Sequence, residues 1–229
     1  LAYLMGRNSD FELGGTSTHG YYEIETKLDI KKLEDSLNKV IEHQPMLRAV
    51  FSKEGKQKIL KSVPKYLINI EDISMLSENE IKEKIKIERN RMSHFIFNPE
   101  KWPLFEFKAF KISEKIHYLF IGIDLLITDG SSIGIFVNEW IASYKGKTLD
   151  LINFNFDDYV LAYENFKKSD IYKKDKDYWL SKVDSFPDAP SLPLKVSTRD
   201  IKNPHFKRYQ YLVEEINWKK IKKLAQDRN

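Results

Sequence analysis

The sequence has no cysteine in its 229 residues. That excludes disulfides, thiolate nucleophiles and cysteine-based zinc sites, and it is compatible with a reducing compartment. No apolar run is long enough to span a bilayer, and no secretory leader opens the chain. The five histidines, His19, His43, His94, His117 and His205, are scattered without metal-ligand spacing. Each reads as a surface or capping residue. No serine sits in a nucleophile elbow, and no glycine-rich phosphate loop is present. Internal repeats and low-complexity segments are also missing. A soluble, cytoplasmic protein is the expectation, with no membrane partner.

What remains is an apolar, heavily charged chain. Hydrophobic residues make up 41%, enough for a core and too many for a disordered chain. Lysine and arginine number 38 against 34 acidic residues, a surplus of +4. Dispersed over amphipathic helices, that surplus describes a solvated surface rather than a nucleic-acid footprint.

One stretch stands out. An apolar run from Ile116 to Ile127 carries a single acid, Asp124, and ends in Asp129-Gly130. Helical spacing of Ile133, Phe136, Val137 and Trp140 follows. So apolar a run, bounded by a turn, reads as a central strand covered on both faces. Alternation puts Tyr118, Phe120, Gly122 and Asp124 on one face, where Gly122 admits a close approach. An unpaired buried carboxylate is costly. The two acids are therefore structural anchors, substrate-orienting groups or, least well supported, part of a metal site, since no third acid or histidine lies near. Arg48 falls within the apolar Met46–Phe51, read as a strand, and an arginine there wants a carboxylate. Asp129 is the preferred partner, and a lone surface arginine is the alternative.

The rest of the pattern alternates. A strand is expected near 18–28, then a helix capped by Asp29 and stopped before Pro45. A hairpin turns at Glu54-Gly55, and a short strand covers Leu67–Ile70. Ser77 and Glu80 have capping-box spacing for a helix that Asn98-Pro99 ends. Leu104–Ile112 should pair antiparallel with the central run. Helices follow near 157–168 and 171–184, then a proline-rich extended arm from Phe186 to Leu194. A last strand is expected at 207–214 and a last helix capped by Asn217. The order fits an α/β (α+β) sandwich, one mixed sheet flanked by helices.

Four stretches in order resemble the heterocyclization domains of nonribosomal peptide synthetases, relatives of the condensation domains. Tyr3, Gly6 and Arg7, with Gly14-Gly15, resemble the end of the opening AYxxGR motif. His43 to Phe51, containing Arg48, resembles the second motif. Asp124 to Gly130, followed by Ser131, matches DxxxxD. Ordinary condensation domains have HHxxxDG here, so Asp124 and Leu125 stand at the two histidine positions. Phe186 to Leu194 is similar to LPxxPxLPL. The resemblance implies a chloramphenicol-acetyltransferase-like fold of two lobes, with residues 1–194 as the first lobe and 195–229 starting the crossover to a second lobe not in this sequence. It implies an enzyme that condenses a carrier-bound acyl or peptidyl thioester with carrier-bound Cys, Ser or Thr, then cyclodehydrates the product to a thiazoline or oxazoline. The substrates would ride on phosphopantetheine arms, with no cofactor or metal bound directly. The partners would be carrier proteins, neighbouring synthetase domains and the second lobe. Asp124 and Asp129 are the implied catalytic-motif residues, with Asp129 paired to Arg48 and mainly structural. This fragment alone would be inactive. Other readings are a carrier-docking scaffold and an ordinary condensation-type acyltransferase.

Overall fold

The computed structural model describes residues 2–188, 192–209 and 211–228. A short opening helix, α1 (Ala2–Met5), leads through a loop to strand β1 (His19–Thr26) and helix α2 (Ile30–His43). A 3₁₀ turn, Pro45–Arg48, comes next, followed by β2 (Ala49–Phe51), β3 (Gln57–Ile59) and β4 (Asn69–Asp72). Helix α3 (Glu78–Ser93) joins β4 to β5 (Phe105–Lys111), which precedes β6 (His117–Asp124) and α4 (Gly130–Tyr144). Three further helices are α5 (Phe156–Phe166), α6 (Asp170–Lys182) and α7 (Glu215–Gln226).

The main sheet has four strands in the order β1-β6-β5-β4. β6 is central and antiparallel to both neighbours, with His19 opposite Asp124 and Phe105 opposite Ile123. β4 and β5 are parallel, as the α3 crossover between them permits. β2 and β3 form a separate hairpin. The expected mixed sheet, the antiparallel β5–β6 pair and the hairpin are thus all present.

Period-two alternation on β6 divides two apolar clusters. Leu119, Ile121 and Ile123 join Phe105 and Phe107 against α2 and α4, where Leu37, Val40, Phe136 and Trp140 are buried. Phe120 faces the other way, onto Tyr21, Ile73, Phe110 and Met92 of α3. Gly122 lies on this second face, and a Cβ there would sit 3.6 Å from both Met92 and Phe97. That is ordinary van der Waals contact, so the packing shows no close approach that requires glycine here.

The helix caps follow local chemistry. Asp29 accepts from the Lys32 amide at 3.0 Å, and Ser77 with Glu80 forms the capping box. Four expectations need correction. Met46–Arg48 is not strand, because Pro45 opens a 3₁₀ turn where its fixed φ suits the first position and its missing N–H costs nothing. α3 stops at Ser93 with His94 as its C-cap, before Asn98-Pro99. No strand forms among the described residues of 207–214, where no neighbouring strand offers a ladder. The last helix starts at Glu215 after Glu214, so Asn217 lies inside it. Of the arm Phe186–Leu194, the described residues have no helix or strand, and Ala189, Pro190 and Ser191 lie outside the described residues. No helix among the described residues is long and apolar enough to cross a membrane.

Candidate functional site

The end of β6 is built by residues distant in sequence. Asp124 is 0% exposed. Its backbone N–H donates to the Leu104 carbonyl at 2.9 Å, closing the ladder to the start of β5. One carboxylate oxygen, Oδ1, accepts the Leu126 amide at 2.9 Å, which bends the chain off the strand. The other, Oδ2, accepts from Arg7 Nη2 and from the Ser17 hydroxyl, the latter at 3.1 Å. Charge, hydrogen bonds and burial therefore converge on a carboxylate with both oxygens committed.

Arg7 reaches this position because the preceding loop folds back on itself. The Gly6 N–H donates to the Ala2 carbonyl at 2.9 Å, and the Thr16 N–H donates to the Gly6 carbonyl at 3.2 Å. Gly14 permits the return. A Cβ there would lie 2.0 Å from the Asn8 carbonyl oxygen, so any side chain would force the loop open. Arg7 Nη1 donates to the Tyr3 carbonyl at 2.7 Å. Tyr3 thus contributes its backbone, while its side chain is exposed. The Tyr3, Gly6, Arg7 and Gly14 of one motif and the Asp124 of another make one construction.

Asp129 is different. It is exposed and caps α4, accepting the Ser132 amide at 2.8 Å. The Ser132 backbone hydrogen bond holds its carboxyl below the ordinary range. Gly130 and Ser131 beside it are exposed, and nothing lies within 4 Å of where a Gly130 Cβ would stand. The two acids share no hydrogen bond or bridging cation.

The expected Arg48–Asp129 ion pair is not formed. Among the described residues Arg48 has no carboxylate partner, and its Nε is buried without an acceptor. The α2 end meets α4 at Glu139, whose two oxygens accept from Gln44 Nε2 at 2.8 Å. Ten residues of helix, about 15 Å, separate that level from Asp129 at the α4 N-terminus. Asp129 is anchored at the exposed helix start by helix amides and not by Arg48.

Two features escaped the sequence. Ser17 carries no motif signal, and its role depends on the loop bringing it to Asp124. Glu23 of β1 gathers Arg89, Tyr21 and Tyr118, with bonds of 2.6, 2.8 and 2.6 Å. Tyr21 shares a face of β1 with Glu23, but Arg89 and Tyr118 lie 66 and 95 residues away in sequence, beyond the reach of local spacing. Among the described residues no cluster of three or more His, Asp or Glu side chains could hold a metal ion.

Comparisons with known proteins agree with this architecture. A family profile described as "Condensation domain" matches residues 15–229. The chain is similar to bacitracin synthase 1 of Bacillus licheniformis, 38% identical over 227 residues, covering 98% of this chain and 4% of that protein. It is also similar to pyochelin synthetase PchF of Pseudomonas aeruginosa, 27% identical over 224 residues, covering 96% of this chain and 12% of the relative. The cyclization-docking bidomain of the EpoB synthetase from Sorangium cellulosum superposes with a TM-score of 0.84 at 29% identity. That match covers 99% of this chain and 46% of the bidomain chain. The chain therefore spans a small part of the curated synthetases and under half of the bidomain. Its mixed sheet flanked by helices is the chloramphenicol-acetyltransferase-like fold of condensation domains. With the profile reaching from residue 15 to residue 229, the chain belongs to the condensation-domain family of nonribosomal peptide synthetases.

Proposed function

We propose that residues 1–194 are the first lobe of a heterocyclization domain in a longer synthetase, with 195–229 leading toward a second lobe. Asp124 carries this reading. It stands where ordinary condensation domains have their first histidine, and the surroundings are built for a carboxylate rather than an imidazole, with Arg7, Ser17 and the Leu126 amide all donating to it. The likeness to the EpoB cyclization-docking bidomain supports the same reading.

In this proposal a carrier-bound acyl or peptidyl thioester is joined to carrier-bound Cys, Ser or Thr. The acceptor side chain then attacks the new amide carbonyl, and the resulting hydroxyl leaves as water. Both steps need held substrates and proton transfer. Asp124 is a positioning residue, since both of its oxygens are occupied. It fixes the turn that leads to Asp129, and Asp129 fixes the exposed start of α4. The groups that move protons come from outside this chain. The carrier arms supply phosphopantetheine, and carrier proteins and neighbouring synthetase domains are the partners.

The test uses the synthetase that contains this chain, with its carriers loaded. Mass spectrometry of the released product should show a species lighter by one water than the linear amide. Asp124→Ala should strongly reduce that species. Linear amide alone from the unaltered synthetase would overturn the reading in favour of plain condensation.

A further inference from the structure

The segment that leaves the lobe is tied back onto it. Apart from the 3₁₀ turn Thr198–Asp200, the described residues of 192–209 form no helix or strand, so backbone ladders do not fix their course. Side chains do. The Thr198 hydroxyl donates to one carboxylate oxygen of Glu12, and Arg199 Nε lies 3.5 Å from the other. Further on, His94 Nε2 donates to the Phe206 carbonyl at 2.8 Å, and the His205 ring stacks on His94 with centroids 4.1 Å apart. The Arg208 guanidinium stands 5.5 Å from the ring centroid of buried Tyr21. One end of the segment thus grips the opening loop, and the other grips the end of α3 and strand β1.

Glu12 lies on the loop that carries Arg7 and Ser17 to Asp124. The next residue, Leu13, has a φ of 55°, a left-handed backbone that suits glycine and disfavours leucine. Such a residue persists where its surroundings hold it. Within the loop the Gly14 N–H donates to the Phe11 carbonyl at 2.8 Å. From outside, the hold is supplied by Thr198 and Arg199. These ties are exposed, Arg199 at 85%, so each contributes little and can be released without disturbing the core. We propose that residues 197–208 form a releasable strap that holds the opening loop shut, with Glu12, Thr198 and Arg199 as positioning residues that keep Arg7 and Ser17 on Asp124. Because the chain runs on from the strap toward the second lobe, displacement of that lobe pulls on the loop. That last step rests on the two-lobe reading above, whereas the strap's hold on the loop does not.

Hydrogen exchange in the synthetase that contains this chain tests the strap, read on peptides covering residues 6–17. Thr198→Val with Arg199→Ala removes both donors from an exposed segment and leaves the core alone. Exchange of the loop amides should quicken by about 3- to 5-fold, the scale of exposed pairs, while β6 and α2 exchange as before. Glu12→Arg should have the same effect, and adding Arg199→Glu should restore protection by reforming the pair with its charges exchanged. Turnover of loaded carriers to released product, linear or dehydrated, should fall by a similar factor in Thr198→Val with Arg199→Ala and recover in the exchanged pair. Counting both products keeps this result apart from the identity of the reaction. Unchanged loop exchange, no recovery in the exchanged pair, or full turnover despite a loosened loop would overturn the proposal.

Discussion

Arg7 donates to Asp124 across 117 positions of sequence, and the pair joins the first turn of the chain to the end of its central strand. The Arg7 side chain is 9% exposed and that of Asp124 is 0% exposed, so water screens neither charge well. Removing one member leaves the other buried without its partner. Arg7→Met should therefore destabilise the fold by about 3–5 kcal/mol, read as a lower urea midpoint. The double variant Arg7→Met with Asp124→Leu should recover much of that loss, because neither charge remains to be desolvated. Additive losses in the double variant would mean that the two residues act separately.

Asp129 and Arg48 should behave in the opposite way. Asp129 meets helix amides at the start of α4, and Arg48 lies in the Pro45–Arg48 turn with no carboxylate partner among the described residues. Asp129→Ala should lower the melting temperature slightly by removing the α4 cap, and Asp129→Ser should restore it, since serine caps as well. The effects of Asp129→Ala and Arg48→Ala should simply add in the double variant. A favourable coupling between them in the double-mutant cycle would restore the ion pair expected from an arginine in an apolar run.

What was legible in the sequence was mostly local. The capping box at Ser77, the Asp29 cap, the hairpin at Gly55 and the apolar central strand each follow from neighbours a few residues apart. The Asp124 environment was only half legible. An acid in an apolar strand demands a partner, but spacing cannot say which cation 117 residues away supplies it. Motif resemblance had placed Arg7 and Asp124 in the same family pattern without linking them. Alternation over Met46–Phe51 misplaces Arg48, because Pro45 sets a 3₁₀ turn that runs to Arg48. The 207–214 strand failed for a related reason. Strand propensity needs a neighbouring edge, and no described strand offers one there.

A second buried acid tests how a loop is held against α2. Glu34 is 1% exposed, and its Oε2 accepts the Ile68 amide at 2.9 Å. Asn38, one turn on, accepts the Tyr66 amide at 2.7 Å and donates to the Tyr66 carbonyl at 2.9 Å. Together they dock the segment before β4. Glu34→Ala strands the Ile68 N–H and should cost about 1–3 kcal/mol in a denaturant titration. Glu34→Gln keeps an acceptor oxygen and should cost clearly less. Lys31, 73% exposed, adds little through its bond to the same carboxylate, so Lys31→Ala should be close to neutral. A Lys31→Ala loss as large as that of Glu34→Ala would move the weight from the amide bond to the ion pair.

The Glu23 network makes stability depend on acid. Burial alone would raise the Glu23 carboxyl, but hydrogen bonds from Arg89, Tyr118 and Tyr21 outweigh it and hold the group at about 2, against an ordinary 4.5. The folded state therefore binds its proton less readily than the unfolded chain, and the network's contribution is complete above about pH 4.5. It is lost as pH falls toward about 2, where the folded carboxyl also protonates. The side chain is 14% exposed, so screening is limited, and the pH-linked part is about 3 kcal/mol. Glu23→Gln should be less stable than the unaltered chain at neutral pH. The gap between the two should close between about pH 4.5 and 2, read from urea midpoints at each pH. Curves that stay parallel through that window would assign the acid sensitivity to other carboxylates.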